Sequence, residues 1–476
     1  MRANRLLAQA KHIHFVGIGG IGLSAIARVL AADGYTISGS DMQSGSNMEA
    51  LAGLGITVYK GHRAENVSGA DLVVVSSAIA ADNPEVLAAR AAGIPVVKRD
   101  AILGEMTEDK TTIAVAGTHG KTTTAAWIAF VLEKMGLDPT FIVGGILQDL
   151  GTNARRGRGD LMVIEADEYD HMFLGLRPKI EVVTVIEMDH PDCYQNVDTL
   201  QDAFRRFARL LPKGGTLVGC ADQPRVRQLM VESGLPASVN RVTFGLERGD
   251  WQAVDVRPND LGGSDFRVMT QGRTAGECRI AIPGTQNVSN CLAVLAVVQS
   301  VGLDMEQVLP CLPHFHGVKR RFEVKGDAGG VTVVDDYAHH PTQVRATLAA
   351  ARQRFGTRRI WAFFQPHTYS RTRALLGELA ASFDAADHVL VAEIYAAREK
   401  DTLGVSGRDI VGQMVHRDAR FVSSLEEATD LLCEELRPGD VLVTLGAGDG
   451  YLVGERVLTR LSTQGAPSQR ESQGAQ

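Results

Sequence analysis

Cysteine is scarce in this chain, and the six cysteines among its 476 residues form no CxxC pair. Such a sparse set provides neither a disulfide framework nor a cysteine-based zinc site, so we expect the reduced thiols of a cytoplasmic protein. Basic residues are also in the minority: 49 lysines and arginines face 56 aspartates and glutamates, giving a formal net charge of -7. Since an acidic chain is a poor partner for a phosphate backbone, we expect no nucleic-acid partner.

Long apolar runs are missing as well, so we expect no membrane insertion. The uncharged segment Ile13–Ala27 follows three basic residues and imitates a secretory signal. Its four glycines would break the apolar helix that such a signal needs, and a cytoplasmic location remains the expectation.

Short apolar runs alternate with amphipathic stretches along most of the chain, which is typical of βαβ units around parallel sheets. The pattern predicts an α/β fold with three domains at residues 1–108, 109–316 and 317–463, and a disordered tail at 464–476. The outer two domains are expected to be Rossmann-like, and the acidic stretch 107–110 to be a linker. The middle domain is expected to be of the P-loop type with a mixed sheet, because strand-like alternation replaces the helical period between about residues 241 and 283.

A glycine-rich turn follows the first predicted strand, His12–Val16, and leads into a helix. Its glycines are Gly17, Gly19, Gly20 and Gly22. Glycines there let the backbone approach a diphosphate at the helix N-terminus, and Asp41, at the end of the next strand, is placed to bond ribose hydroxyls. Ser40, next to Asp41, and Ser76, at the end of a further strand, are assigned to the same site. A tight turn without a ligand is the alternative.

A second loop joins the predicted strand Thr111–Ala116 to the helix Thr124–Met135. It consists of Gly117, Thr118, His119, Gly120, Lys121, Thr122 and Thr123. Its amides would form an anion nest, Lys121 would reach the β- and γ-phosphates of ATP, and Thr122 would help to hold Mg²⁺. Because Val115 stands where a P-loop has its first glycine, the spacing departs from the usual pattern, and a solvated lysine is the alternative.

Acidic and imidazole side chains follow two later strands. Glu165 opens the sequence EADEYD, and His190 lies in the sequence DHPD. Carboxylates at the ends of strands beside a phosphate loop are expected Mg²⁺ ligands, although a solvated loop is the simpler reading of each cluster alone. In the third predicted domain Tyr337, His339 and Arg371 also follow strands. Arg321 could bring positive charge over a triphosphate. Helix caps or surface charges are the alternatives there.

Two nucleotide sites in separate blocks favour ATP-driven chemistry on a nucleotide-linked substrate. An NAD-dependent oxidoreductase would use the first loop and leave Lys121 unexplained. A regulatory P-loop switch would use the second loop and leave Asp41 unexplained.

Seven motifs in this order resemble the Mur ligase family of cytoplasmic peptidoglycan-precursor ligases. They are HFVGIGGIG, GTHGKTTT, EADEYD, DHPD, GVKRRFE, DDYAHHPTQ and FQPHTYSRT. The resemblance extends from about His12 to Leu461. It implies a UDP-substrate domain, an ATP domain and a C-terminal amino-acid domain, with the first glycine loop holding a UDP diphosphate in place of NAD.

The implied reaction joins L-alanine to the lactyl carboxylate of UDP-N-acetylmuramate through an acyl phosphate, with ATP and Mg²⁺ as cofactors. By motif, Lys121 and Arg321 serve the phosphates, and Thr122, Glu165 and His190 the metal. Asn287 and Asn290 would serve the adenine side, and Tyr337, His339 and Arg371 the amino acid. Gln286 replaces a histidine common in the family, which leaves the adenine contact open. Tyr169 is common in members that recycle a murein tripeptide, and that activity stays the alternative.

Overall fold

The computed structural model describes residues 5–397, 399–401 and 403–464. The chain divides into two compact units between Lys319 and Arg320. Each unit is built of mainly parallel β-sheet with flanking helices, so the predicted α/β fold is confirmed.

The first sheet has five parallel strands in the order β3-β2-β1-β4-β5. Its strands are β1 (His12–Val16), β2 (Thr36–Asp41), β3 (Thr57–Lys60), β4 (Leu72–Val75) and β5 (Val96–Lys98). The associated helices are α1 (Leu6–Gln9), α2 (Ile21–Ala32), α3 (Ser46–Ala52), α4 (Pro84–Ala91) and α5 (Arg99–Glu108). The direction of the crossovers reverses between β1 and β4, and ligands of such sheets bind outside the strand ends at that switch point.

The second sheet has ten strands in the order β15-β14-β13-β12-β11-β10-β6-β9-β7-β8. Its strands are β6 (Thr111–Ala116), β7 (Thr140–Leu147), β8 (Thr152–Arg155), β9 (Leu161–Glu165), β10 (Ile180–Val183), β11 (Thr216–Cys220), β12 (Asn240–Gly245), β13 (Trp251–Pro258), β14 (Ser264–Thr270) and β15 (Arg273–Ile280). The helices are α6 (Lys121–Lys134), α7 (Val197–Ala208), α8 (Pro224–Glu232), α9 (Thr285–Ser300) and α10 (Met305–Val308). The pairs β13–β14 and β14–β15 are antiparallel, as predicted, while β12 and β13 pair in parallel.

Helix α6 is buried on all sides, which fixes the loop that precedes it. Residues 125–132 are all fully buried, and the Trp127 ring stacks on Phe315 with centroids 4.8 Å apart. A helix that is apolar all round belongs in a core, so its N-terminus has little freedom to shift.

The third sheet, in the second unit, has the order β16-β17-β21-β18-β19-β20. Its strands are β16 (Glu323–Ala328), β17 (Val331–Asp336), β18 (Ile360–Phe364), β19 (His388–Val391), β20 (Ala419–Phe421) and β21 (Val441–Leu445). The helices are α11 (Pro341–Phe355), α12 (Tyr369–Ala374), α13 (Leu376–Ala380), α14 (Gly407–Gln413), α15 (Leu425–Glu435) and α16 (Tyr451–Gln464). Only β16, at one edge, runs antiparallel to its neighbour among these described strands.

Two local predictions are wrong. Helix α5 extends to Glu108, so half of the predicted linker 107–110 is helical. Within this helix the Thr107 hydroxyl donates to the Leu103 carbonyl at 2.7 Å. The helix after the second loop begins at Lys121, three residues before the predicted Thr124. The predicted tail lies outside the described residues except for Gln464, which ends α16. Among the described residues, no helix has the length and apolar content needed to cross a bilayer.

Candidate functional site

The first glycine loop closes on the end of β2 through backbone hydrogen bonds. The amides of Gly17 and Ile18 donate to the Ser40 carbonyl at 2.8 and 3.0 Å. Gly17 has φ +88°, and a side chain at Gly19 would meet the Asp41 carboxylate 2.9 Å from its Cβ. Glycine is therefore favoured at Gly17, where the backbone is left-handed, and at Gly19, where a side chain would displace the Asp41 carboxylate.

Asp41 lies at this loop, as predicted, but its carboxylate bonds to the backbone here. Its Oδ2 accepts from the Gly19 amide at 3.1 Å and its Oδ1 from the Gln43 amide at 3.2 Å. Ser76 also borders the loop, since a Cβ at Gly17 would lie 3.1 Å from Ser76 Cβ. The structure thus brings Ser40, Asp41 and Ser76 together around Gly17.

Gly22 lies one turn further on, inside the first turn of α2. A Cβ there would lie 2.6 Å from Nη1 of Arg99. Gly22 therefore makes space for the Arg99 guanidinium, which sequence reasoning did not anticipate.

The second loop has two left-handed glycines and ends at the N-terminus of α6. Gly117 has φ +130° and Gly120 has φ +82°. A side chain at Gly120 would meet Oδ1 of Asn290 at 2.8 Å, so α9 packs directly against the loop. The Asn290 amide donates to Asn287 Oδ1 at 3.1 Å, and Asn287 donates to the Pro283 carbonyl at 2.7 Å. Both asparagines thus lie beside the phosphate-loop candidate.

Thr118 and His119 bond to the segment after β10. Thr118 Oγ1 donates to the Glu187 carbonyl at 3.0 Å, and His119 Nε2 lies 3.1 Å from Glu187 Oε2. Thr123 follows Thr122 in the first turn of α6. The predicted loop residues therefore form one continuous turn between β6 and α6.

Lys121 is held in a buried ion pair. Its Nζ lies 2.9 Å from both oxygens of Glu168 and donates to the Gly117 carbonyl at 2.6 Å. The side chain of Glu168 is 1% exposed and that of Lys121 13%. Burial acts to lower the pKa of Lys121, but the carboxylates of Glu168, Asp167 and Glu165 outweigh it and hold the pKa above its usual value. Lys121 is therefore a cation at neutral pH.

Two of the three predicted metal ligands are in direct contact. Thr122 Oγ1 donates to Glu165 Oε1 at 2.9 Å, and the other Glu165 oxygen accepts from the Gly144 amide at 2.6 Å. His190, which has φ +54°, has its Nε2 3.8 Å from Glu168 Oε1. The hydroxyl and carboxylate oxygens of Thr122 and Glu165 are the donor types that Mg²⁺ prefers, so these two residues fit the ion.

Glu168 is the functional candidate that sequence reasoning missed. It lies in the quoted acidic cluster, but the sequence contains no signal that separates it from its acidic neighbours. The segment after β9 is irregular, with φ +55° at Asp170 and +56° at His171. Periodicity therefore could not predict which carboxylate meets the lysine.

Polar contacts join this acidic segment to the first sheet. Arg99 Nη2 lies 2.8 Å from Asp167 Oδ2. Asp170 Oδ2 accepts from Lys98 Nζ at 2.6 Å and from Ser77 Oγ at 2.9 Å. We call these three contacts the acidic seam.

In the second unit, the three residues predicted to bind the amino acid lie close to one histidine, His367. The rings of Tyr337 and His339 meet edge to face with centroids 5.5 Å apart, and the His339 ring lies 5.9 Å from that of His367. Arg371, which is 6% exposed, has Nη1 3.1 Å from Nδ1 of His367. His367 belongs to a quoted motif, and only the three-dimensional arrangement shows that it connects the others.

Arg321 and its neighbour Arg320 occupy different environments. The Arg321 guanidinium lies 5.0 Å from the centre of the Tyr337 ring. Arg320 Nε bonds to Asp335 Oδ2 at 3.0 Å, and its Nη2 donates to the Gly446 carbonyl at 2.8 Å. Arg320 therefore ties β17 to the segment after β21, while Arg321 borders the candidate amino-acid residues.

Comparison with known proteins matches three family models in order along the chain. The Mur ligase family catalytic domain matches residues 12–111, the Mur ligase middle domain residues 115–298, and the Mur ligase glutamate ligase domain residues 320–448. The UDP-N-acetylmuramate–L-alanine ligase of Caldanaerobacter subterraneus subsp. tengcongensis is 44% identical, covering 95% of this chain and 98% of that protein. The ligase of the same name from Myxococcus xanthus is 44% identical over 95% and 96% of the two chains.

Two solved structures extend the comparison. The UDP-N-acetylmuramate-alanine ligase of Thermotoga maritima has a TM-score of 0.82 at 31% identity, covering 95% of this chain and 99% of that one. A murein peptide ligase of Psychrobacter arcticus has a TM-score of 0.72 at 26% identity, over 95% and 98%.

Proposed function

This chain belongs to the Mur ligase family, and we propose that it joins L-alanine to the lactyl carboxylate of UDP-N-acetylmuramate, with ATP converted to ADP and phosphate. The observation that carries the proposal is the 44% identity to an L-alanine ligase over 95% of this chain and 98% of that relative. The murein tripeptide activity is not favoured, because the structural likeness to the murein peptide ligase is lower in both TM-score and identity. An oxidoreductase is not favoured either, because all three matching models are those of ligases.

The chemistry explains why the chain needs two anion sites. A carboxylate is a poor acyl donor, because it has no good leaving group. Attack of its oxygen on the γ-phosphorus of ATP breaks the bond to the β-phosphate oxygen, releases ADP and forms an acyl phosphate. The neutral amine of L-alanine then attacks the acyl carbon, phosphate leaves, and the ammonium proton passes to solvent. No covalent bond to the enzyme is formed, so catalysis depends on positioning two anions and offsetting their repulsion.

Lys121 and the N-terminus of α6 are assigned to the β- and γ-phosphates. The residues of this subsite are Gly117, Thr118, His119, Gly120, Lys121, Thr122 and Thr123. The buried cation and the N-terminus of α6 offer positive charge where the phosphates would lie. Asn287 and Asn290, packed on the loop, are assigned to the adenine side, and Arg321 to the phosphates.

Thr122, Glu165 and His190 are assigned to Mg²⁺. The ion, when bound, would neutralise charge on the phosphoryl oxygens during transfer. Glu165 is oriented for this role by the Gly144 amide. Glu168 balances Lys121 until the phosphates bind.

Gly17, Gly19, Gly20, Gly22, Ser40, Asp41 and Ser76 are assigned to the UDP diphosphate and ribose. Tyr337, His339 and Arg371 are assigned to L-alanine, whose carboxylate suits a guanidinium. ATP and UDP-linked precursors are cytoplasmic metabolites, so we place the enzyme in the cytoplasm, without a nucleic-acid partner.

A co-substrate assay tests the function. Phosphate release is measured with ATP, Mg²⁺, UDP-N-acetylmuramate and L-alanine, and then with each of them omitted in turn. We expect release only from the complete mixture. No release would refute the proposal, and faster turnover with L-alanyl-γ-D-glutamyl-diaminopimelate than with L-alanine would replace it by the tripeptide activity.

A further inference from the structure

A fully buried carboxylate, that of Glu85, is connected to the first glycine loop through Ser40. It belongs to none of the substrate-binding or metal-binding sets assigned under the proposed function. Glu85 is 0% exposed and occupies the first turn of α4. Its own amide is capped by Asn83 Oδ1 at 2.9 Å, and the helix N-terminus favours a negative charge there. A buried carboxylate contributes little to stability compared with an apolar side chain of similar size, so its partners deserve a functional explanation.

The partners of Glu85 come from three separate segments of the first sheet. Oε2 accepts from Ser40 Oγ at 2.5 Å and lies 3.5 Å from Nε2 of the fully buried His14 on β1. Oε1 accepts from Asn66 Nδ2 at 2.5 Å and from the Arg63 amide at 3.2 Å. Burial acts to raise the pKa of Glu85, but the nearby His14 imidazole and the hydrogen bonds from Ser40 and Asn66 outweigh it and lower the pKa to about 2. Glu85 is therefore a carboxylate at neutral pH.

The hydrogen bonds around Ser40 indicate which ring nitrogen of His62 carries a proton. Ser40 has one hydroxyl proton, which it donates to Glu85. Its oxygen must therefore accept the hydrogen bond from His62 Nδ1, 2.9 Å away. Since Glu85 Oε2 itself also lies 3.4 Å from His62 Nδ1, both neighbours of that nitrogen favour a proton on it.

These contacts converge on the loop assigned to the UDP diphosphate. The Ser40 carbonyl accepts the amides of Gly17 and Ile18, so a shift of Ser40 moves the loop. Glu85 follows β4, whereas Ser40 is the last residue but one of β2, on the other side of β1. The hydrogen bond between Glu85 and Ser40 therefore connects the two sides of the switch point, where ligands of such sheets bind.

We propose that Glu85 is a positioning residue of the UDP-sugar site, holding Ser40 and the segment 62–66 in the arrangement that the nucleotide-sugar requires. This inference rests on the proposed function. Glu85 acts through other residues and need not touch the ligand.

The test compares Glu85→Gln with Glu181→Gln in the full-length protein. Glu181 is also 0% exposed but lies on β10, and neither of its oxygens has a hydrogen-bond partner among the described residues. Calorimetry measures the Kd for UDP-N-acetylmuramate and for UDP, and phosphate release measures kcat and the KM of each substrate. For Glu85→Gln we expect the Kd and KM of the UDP-sugar to rise about ten-fold, with kcat and the KM values for ATP and L-alanine within about two-fold of wild type. The Glu181→Gln variant should match wild type in all of these values.

Asn66→Ala provides a second variant, which leaves the carboxylate in place and removes one donor to it. It should raise the KM of the UDP-sugar about three-fold or more. A KM for the UDP-sugar that stays at the wild-type value in Glu85→Gln, or in Asn66→Ala if the first variant does not fold, overturns the proposal. So does a parallel change in all three KM values. Wild type measured alongside separates the two claims: an active wild type with an unchanged variant refutes only the positioning role, whereas a wild type that does not bind the UDP-sugar refutes both.

Discussion

Replacing Lys121 should lower both the thermal stability and the activity, for two different reasons. Stability falls because the partner of Lys121, Glu168, is buried, and activity falls because the phosphates lose a cation. In Lys121→Met the Glu168 carboxylate, 1% exposed, loses the ammonium 2.9 Å from both of its oxygens. Breaking a buried pair from one side costs about 3 kcal/mol or more. For a domain of about 200 residues each kcal/mol lowers Tm by roughly 2 to 4 °C, so we expect a loss of roughly 6 to 12 °C.

The double variant Lys121→Met/Glu168→Gln should recover most of that stability, because no uncompensated charge remains. It should stay inactive, since the phosphates have lost their cation. Calorimetric scans and phosphate release measure the two effects, and Lys213→Met, at an exposed lysine of the same unit, serves as the control. If Lys121→Met melted at the wild-type temperature, or if the double variant were no more stable than the single one, the reasoning about the pair would be refuted.

Two further predictions concern single positions in the same unit. Burial holds the pKa of Glu181 well above its usual value. The stability that its protonated side chain provides is therefore fully present below about pH 4.5. The free energy of unfolding then falls as the pH rises through the folded-state pKa. Denaturation from pH 4 to 8 should show wild type losing stability relative to Glu181→Gln, by up to about 1.4 kcal/mol per pH unit; equal pH profiles would contradict this. Gly120→Ala should raise the KM for ATP, since its methyl group meets Asn290. Gly136→Ala, at φ +74° with open space around the added carbon, carries the same strain and should leave that KM unchanged.

Two strands could be predicted to the residue, since His12–Val16 is β1 and Thr111–Ala116 is β6. Each begins directly after a lysine and ends directly before a glycine, which are local signals. The hairpin of β7 and β8 could not be predicted, because Gly144 and Gly145 interrupt one strand and the other is short and largely polar. Its place at the sheet edge depends on pairing with β9, which is a long-range contact.

The side chains of the candidate site divide in a similar way. Glycines and the lysine of the second loop are recognisable because loop chemistry is local. Glu168 and Glu85 are not, since their partners Lys121 and Ser40 lie 47 and 45 residues away in the chain. Glu85 in particular follows an Asn-Pro helix start and has the sequence features of an ordinary surface acid.

The acidic seam has a thermodynamic consequence. Asp167 is bonded to Arg99 beside the first glycine loop, while Glu168, the next residue, is bonded to Lys121. A ligand that drew Arg99 or Lys98 away from these carboxylates would alter the free energy of the segment that neutralises Lys121, and with it the affinity for the nucleotide triphosphate. Linkage is reciprocal, so the nucleotide would change the affinity for the sugar ligand by the same factor.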